Sequence, residues 1–277
     1  MGYRHKIAAQ ADSRMMFLHA KKRDATRSWL GEDKKVAERS ARQIGIFLLA
    51  FVLVQIASGA EQVVTSAVTA SGDQVPYLLN RADAGTPRYV LILFPGGSGI
   101  VNPRYEDGVV RYQMADNFLL RARKFIVDSE FATVAMDSTH SEGRIQAVID
   151  DVRRRMAGSR IYLVGTSTGT ADTMRLAGYL SDKIDGEIHV SALSSIASFD
   201  GPSYRNRQLL VHHRNDGCRL TPFEAAETSH SRYGTELIVM DGGASFGNPC
   251  KAFGHHGFNG IERETVDAIK HWVKEGK

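Results

Sequence analysis

Cysteine is almost missing from this chain: its 277 residues include only Cys218 and Cys250. That scarcity excludes a disulfide-built mini-fold and a cysteine-rich zinc module. Also missing is any apolar run of the roughly 20 residues that a spanning helix wants. The longest, 44–57, has fourteen residues and one polar member, Gln55. Neither G-x-x-x-x-G-K-[ST] nor H-E-x-x-H occurs, so a phosphate cradle and a zinc hydrolase both lack their sequence marks. No cofactor and no metal is expected. A surplus of one charge is absent from most of the chain as well. The formal net charge is +4, but residues 1–43 hold eleven Lys/Arg against five Asp/Glu, and the remainder holds 24 against 26. The basic character belongs to the N-terminal stretch, and the body shows no nucleic-acid footprint.

Three regions follow from what is present. Residues 1–43 read as a solvated basic segment expected to be disordered. Residues 44–60 follow Arg39 and Arg42 and end in Ser58, Gly59 and Ala60, the order of a secretory signal, whose cleavage would leave Glu61 first. The same stretch, uncleaved, would be an inner-membrane anchor with its basic flank in the cytoplasm. In an exported chain Cys218 and Cys250 would form a disulfide; in a cytosolic one they would stay thiols.

Residues 61–277 form the third region, a single domain. "QVVTSAVTA" and "QVPYLLNRA" flank Ser71-Gly72-Asp73 as a hairpin. "RYVLILF" is apolar throughout, as a strand covered on both faces must be. After it, "MADNFLLRARKFIVD" has helical spacing, "FATVAMD" reads as a strand, and "GRIQAVIDDVRRRMAG" as a helix with Ile145, Val148, Ile149 and Val152 on one face. "IYLVG", "GEIHVSALS", "QLLVHH" and "ELIVMDGG" are further strands. Between and after them lie helices at "TADTMRLAGYL", "TPFEAAETSHSRY" and "NGIERETVDAIKHWVKEG". Strands alternating with helices predict an α/β domain with a mostly parallel sheet and helices on both faces. Chemistry in such sheets collects at the carboxyl ends of the strands.

Those ends carry a consistent set. Pro95-Gly96-Gly97-Ser98-Gly99 closes one strand, Ser167 another, Asp216 follows a third, and His255-His256 stand between the last strand and the last helix. A serine hydroxyl needs a base to become nucleophilic, an imidazole supplies it near neutral pH, and a carboxylate fixes the imidazole's tautomer. Asp137 also ends a strand and is a rival acid, although it precedes the nucleophile. His212 and His213 read as strand and loop packing.

Gly165-Thr166-Ser167-Thr168-Gly169, with Asp216 and then His256 following in that order, resembles the α/β-hydrolase superfamily and its G-x-S-x-G elbow. The blocks "HHRNDGCRLTPF" and "CKAFGHHGF" resemble small exported bacterial members. The resemblance implies an α/β-hydrolase fold over 61–277, with Ser167 as nucleophile, Asp216 as acid and His256, which precedes Gly257, as base rather than His255. It places oxyanion donors at Thr168 and at Gly97. Pro95-Gly96 stands where many members have His-Gly. Only fourteen residues, "SSIASFDGPSYRNR", join two of the strands after the elbow, so no large cap domain is expected, and loops near 100–111 and 242–254 should roof the site. The expected activity is a serine esterase acting on a small-molecule acyl substrate. An amidase or peptidase using the same triad, and a silent anchored binding protein of this fold, are the alternatives. Nucleic acid is not an expected partner, and membrane contact would come only through 44–60.

Overall fold

The computed structural model describes residues 60–83 and 85–276. The basic segment and residues 44–59 of the expected signal or anchor lie outside them. Ala60, the expected cleavage position, opens the first strand. All the described residues fall within the unit Ala57–Lys277.

Strands β1 (Ala60–Val68) and β2 (Gln74–Ala82) form the expected hairpin. β3 (Tyr89–Phe94) is buried at every position. A small hairpin, β4 (Arg104–Glu106) and β5 (Val109–Arg111), follows. Two one-turn helices, α1 (Phe118–Arg121) and α2 (Arg123–Ile126), lead to β6 (Phe131–Met136) and helix α3 (Glu142–Arg155), capped by Ser141. Then come β7 (Arg160–Thr166), α4 (Gly169–Leu180), β8 (Gly186–Val190), β9 (Arg207–His213), α5 (Phe223–Tyr233), β10 (Glu236–Met240) and α6 (Glu262–Glu275).

The main sheet has eight strands in the order β1-β2-β6-β3-β7-β8-β9-β10, parallel from β6 to β10. β2 alone runs against its neighbours. Alternation along the strands sends side chains into two cores. Leu91, Leu93, Tyr162, Val164, Ile188 and Val190 pack with Phe118, Ile269 and Trp272. Val90, Ile92, Phe94, Ile161 and Leu163 pack on the opposite face with Ile145, Ile149, Val152 and Leu176. Burying each such Leu or Ile contributes about 1.5–3 kcal/mol against exposure, so the sheet is a rigid platform for the loops at its carboxyl edge. The β8–β9 connection contains only two short 3-10 turns, Ser194–Ser198 and Gly201–Ser203, and carries no cap domain. Among the described residues no helix is long and apolar enough to cross a membrane.

Two local expectations need correction. "MADNFLLRARKFIVD" is not one helix: Asn117 caps α1 through the Leu119 N–H, and the chain turns at Ala122, where Arg123 folds its Nε back onto the Leu120 carbonyl at 2.8 Å. "GEIHVSALS" is a strand only to Val190, because Ser191 adopts the left-handed conformation (φ 45°).

Candidate active site

Ser167 sits between β7 and α4 with φ 53°, a conformation that non-glycine residues rarely adopt. The glycines around it are required by contact. A Cβ on Gly169 would lie 2.5 Å from the Phe94 carbonyl oxygen, and one on Gly165 would lie 2.7 Å from Thr173 Cγ2 and 2.8 Å from the Gly169 carbonyl oxygen. Gly96 is equally confined, its absent Cβ 2.7 Å from Ser167 Cβ. The Gly-rich loop therefore rests directly against the elbow. Thr168 Oγ1 donates to the Gly97 carbonyl at 3.1 Å, linking the two segments that hold the expected oxyanion donors. Gly97 itself has φ +66°, available to glycine without strain. Thr168 is the N-cap residue of α4, so the positive end of the helix dipole lies at this turn.

Asp137, the rival acid, has a different occupation. Its Oδ1 accepts from the N–H groups of Val101 and Asn102 at 2.7 and 2.8 Å. The neighbouring Ser138 donates its N–H to Gly99 and its hydroxyl to Pro95 O, both at 2.8 Å. The end of β6 thus pins the Gly-rich loop.

Asp216 and His256 are brought together. His256 Nδ1 lies 2.9 Å from Asp216 Oδ2, and both side chains are buried. A carboxylate at Nδ1 demands a proton there, which leaves Nε2 as the free lone pair. Asp216 also accepts from the Cys218 N–H at 2.9 Å and from the Thr221 hydroxyl at 3.0 Å, and His212 Nε2 lies 3.2 Å from it. Burial alone would push this carboxyl up; hydrogen bonds from His212 and His256, followed by the charge of His256 and the Cys218 N–H, outweigh it and hold Asp216 well below the usual carboxylate range. His255 takes no part in this arrangement. Its ring stacks on His213 with centroids 4.3 Å apart.

The end of β8 ties the Ser167 and His256 segments to one another. Val190 O accepts the Ser167 N–H at 3.0 Å, and the Ser191 hydroxyl donates to His256 O at 2.8 Å. Ser167, His256 and Gly97 line one cavity of about 200 Å³. One wall is Met114, Asp116, Asn117 and Phe118; the other is Cys250, Lys251 and Ala252. The second wall falls in the loop expected to roof the site, whereas the first lies just past the expected 100–111. Arg121 spans the two, donating to Asp116 O at 2.7 Å and to Gly257 O while pairing with Glu262 at 3.0 Å. Cys218 and Cys250 are joined in a disulfide with Cα atoms 4.6 Å apart, which fastens the acid loop to the cavity wall.

Thr221, Ser191, Arg121 and His212 were not legible as site residues. Ser191 and Arg121 belong to no motif, and their partners lie 65 and 136 positions away. His212 and Thr221 fall inside the block "HHRNDGCRLTPF", four residues before and five after Asp216.

The fold that carries this arrangement is that of solved structures to which the chain is similar. Est1E from Butyrivibrio proteoclasticus superposes with a TM-score of 0.54 at 17% identity, over 79% of this chain and 99% of that one; it has also been solved with ferulic acid bound. An esterase domain of a Rhodothermus marinus protein gives 0.53 at 10% identity, over 76% and 98%. A lidless α/β serine hydrolase from Xanthomonas campestris gives 0.51 at 14% identity, over 76% and 95%. No family model and no curated protein matches the sequence. The chain has the α/β-hydrolase fold.

Proposed function

We propose that this protein is a serine esterase that cleaves a small acyl ester through an acyl-enzyme on Ser167. The observation that carries the reading is the His256 Nδ1 to Asp216 hydrogen bond, 2.9 Å, with His256 and Ser167 lining a single cavity. Ser167 Oγ attacks the ester carbonyl carbon and passes its proton to His256 Nε2. Asp216 stabilises the imidazolium without taking its proton. The N–H groups of Thr168 and Gly97 face the oxygen that becomes negative. The alcohol leaves with the proton from His256, and a water activated by the same Nε2 then releases the acid and restores Ser167. A cavity near 200 Å³ is smaller than the roughly 300–1,000 Å³ of drug-sized sites and suits a short acyl chain. The Cys218–Cys250 bond supports an exported protein, since such bonds persist in oxidising compartments.

The test is fluorophosphonate labelling with peptide mapping, joined to hydrolysis of a p-nitrophenyl ester series of increasing acyl length. Labelling maps to Ser167; Ser167→Ala and His256→Ala lose at least about 10³-fold in kcat, and His255→Ala keeps most of it. Acetate and butyrate esters turn over faster than long-chain ones. No labelling would leave a binding protein of this fold, and an essential His255 would overturn the assignment of the base.

A further inference from the structure

His212 was expected to be a packing residue of β9, and its side chain is indeed fully buried. Its surroundings give it more to do. Nε2 lies 3.0 Å from the Thr221 carbonyl oxygen and 3.2 Å from Asp216 Oδ2. Both are acceptors, and a carbonyl can be nothing else, so Nε2 carries the hydrogen. Nδ1 is buried without a hydrogen-bond partner, consistent with a neutral ring protonated at Nε2 alone. The ring is held edge-on to Phe223, with centroids 5.9 Å apart. The same Oδ2 atom also receives His256 Nδ1. One carboxylate oxygen is thus shared between two histidines, one lining the cavity and one sealed beneath it.

We propose that His212 is a positioning residue for the Ser167–His256–Asp216 site: its Nε2–H orients Asp216 from below and lowers the basicity that Asp216 confers on His256. This rests on the esterase reading only for its consequence in turnover. The physical argument concerns Asp216 itself. A carboxylate that accepts a second N–H has less negative charge to offer the imidazolium of His256, and the dipole of that N–H opposes the imidazolium directly. Removing it must raise the pH at which His256 titrates. Other polar and charged groups around the pair keep their places in such a variant. Thr221 and the Cys218 N–H contact Asp216 from the acid loop. His213 interacts electrostatically with Asp216, and also with His255 and Asp241. Lys251 and Asp116 stand in the cavity walls near His256.

The experiment is NMR titration of ¹⁵N-histidine protein, which needs no substrate and so succeeds or fails independently of the esterase reading. In the wild type, His212 shows protonated Nε2 and unprotonated Nδ1; an Nδ1–H tautomer overturns the proposal with no variant required. In His212→Phe, which keeps a ring and removes the donor, the His256 midpoint rises by about half a pH unit or more. In His212→Gln, whose amide N–H reaches a similar point, it stays within about 0.2 unit of wild type. Where the protein hydrolyses esters, the acid limb of kcat/KM moves with the NMR midpoint and the plateau falls roughly tenfold in His212→Phe alone. A His212→Phe protein that is folded and less heat-stable, but whose His256 midpoint and acid limb have not moved, shows a purely structural histidine and refutes the proposal. If His212→Phe does not fold, the wild-type tautomer and His212→Asn decide, because the shorter amide cannot reach Asp216: a His256 midpoint unmoved in a folded His212→Asn protein refutes the proposal.

Discussion

Replacing both Cys218 and Cys250 by serine removes a bond that closes 32 residues of sequence separation. In the chain-entropy description, opening a loop of that length costs about 3–4 kcal/mol at 25 °C. For a domain of this size each kcal/mol moves the melting temperature by about 2–4 °C, so the variant should melt roughly 6–16 °C below the oxidised protein. The loss reaches beyond entropy. Cys218 also supplies the N–H that Asp216 Oδ1 accepts, and Cys250 stands in the cavity wall. Gly217 faces Pro249 so closely that a Cβ on it would lie 3.2 Å from the proline side chain. Freed from the bridge, the acid loop can drift from the histidine loop without unfolding the sheet. Two assays separate these effects. Calorimetry of wild type, reduced wild type and the double-serine variant reads the stability. Ester turnover at about 15 °C, where every form is folded, reads the preorganisation, and a roughly tenfold fall in kcat is expected. Two free thiols per chain, titrated in denaturant without reductant, would refute the premise. A melting shift below about 2 °C would refute the magnitude.

Gly169→Ala places a methyl 2.5 Å from the Phe94 carbonyl oxygen, a backbone atom that cannot swing aside. It should cost about 1–3 kcal/mol and more than tenfold in turnover, by prising the elbow off the strand that leads into the Gly-rich loop. Gly143→Ala, in α3 with nothing within 4 Å, should instead stabilise by about 0.5–1 kcal/mol; urea melts of the two variants check the contrast. Glu187, fully buried in β8, has its carboxyl pushed up to about 8 by burial, with hydrogen bonds from Asn206 and Gln208 opposing only in part. Between the unfolded value near 4.5 and about 8 the folded state holds more protons than the unfolded one, so the domain loses stability as pH rises through that window, by up to about 1.4 kcal/mol per unit. Glu187→Gln should flatten that slope and stabilise the protein at pH 8, and denaturant melts at pH 5 and pH 8 would expose an error as equal slopes in both proteins.

The sheet was legible because its strands announce themselves physically. "RYVLILF" and "IYLVG" have almost no polar position to offer water, so only a strand covered on both faces accommodates them. The elbow was legible because its two glycines answer a steric demand, now visible as the contacts of Gly165 and Gly169. The β4–β5 hairpin had a signal that passed unread: Asp107-Gly108, both at positive φ, between "RYE" and "VVR". The division of the stretch after it into α1 and α2 had none. No glycine or proline marks Ala122, and the break belongs to the tertiary pull of Arg123 and Phe118 on their surroundings. Side-chain bridges such as Arg121 to Gly257 were beyond reach for the same reason, since no periodicity links residues on different loops.

The acid loop shows why a buried carboxylate can remain charged in this fold. Desolvation opposes the charge on Asp216, and every contact around it supplies a donor: His256, His212, the Thr221 hydroxyl and the Cys218 N–H. Three of those four lie within five residues of Asp216 in sequence, so "HHRNDGCRLT" folds into its own anion receptor before His256 arrives. Asp216 is therefore held in place by local chain geometry, and His256 is delivered to it by the long-range tether from Ser191 and by the disulfide. Stability and chemistry share those bonds. A substitution that loosens the receptor leaves a buried charge short of donors, which penalises folding and weakens the support of His256 together. The two losses come apart only at positions such as Gly143, which touch neither the receptor nor its tethers.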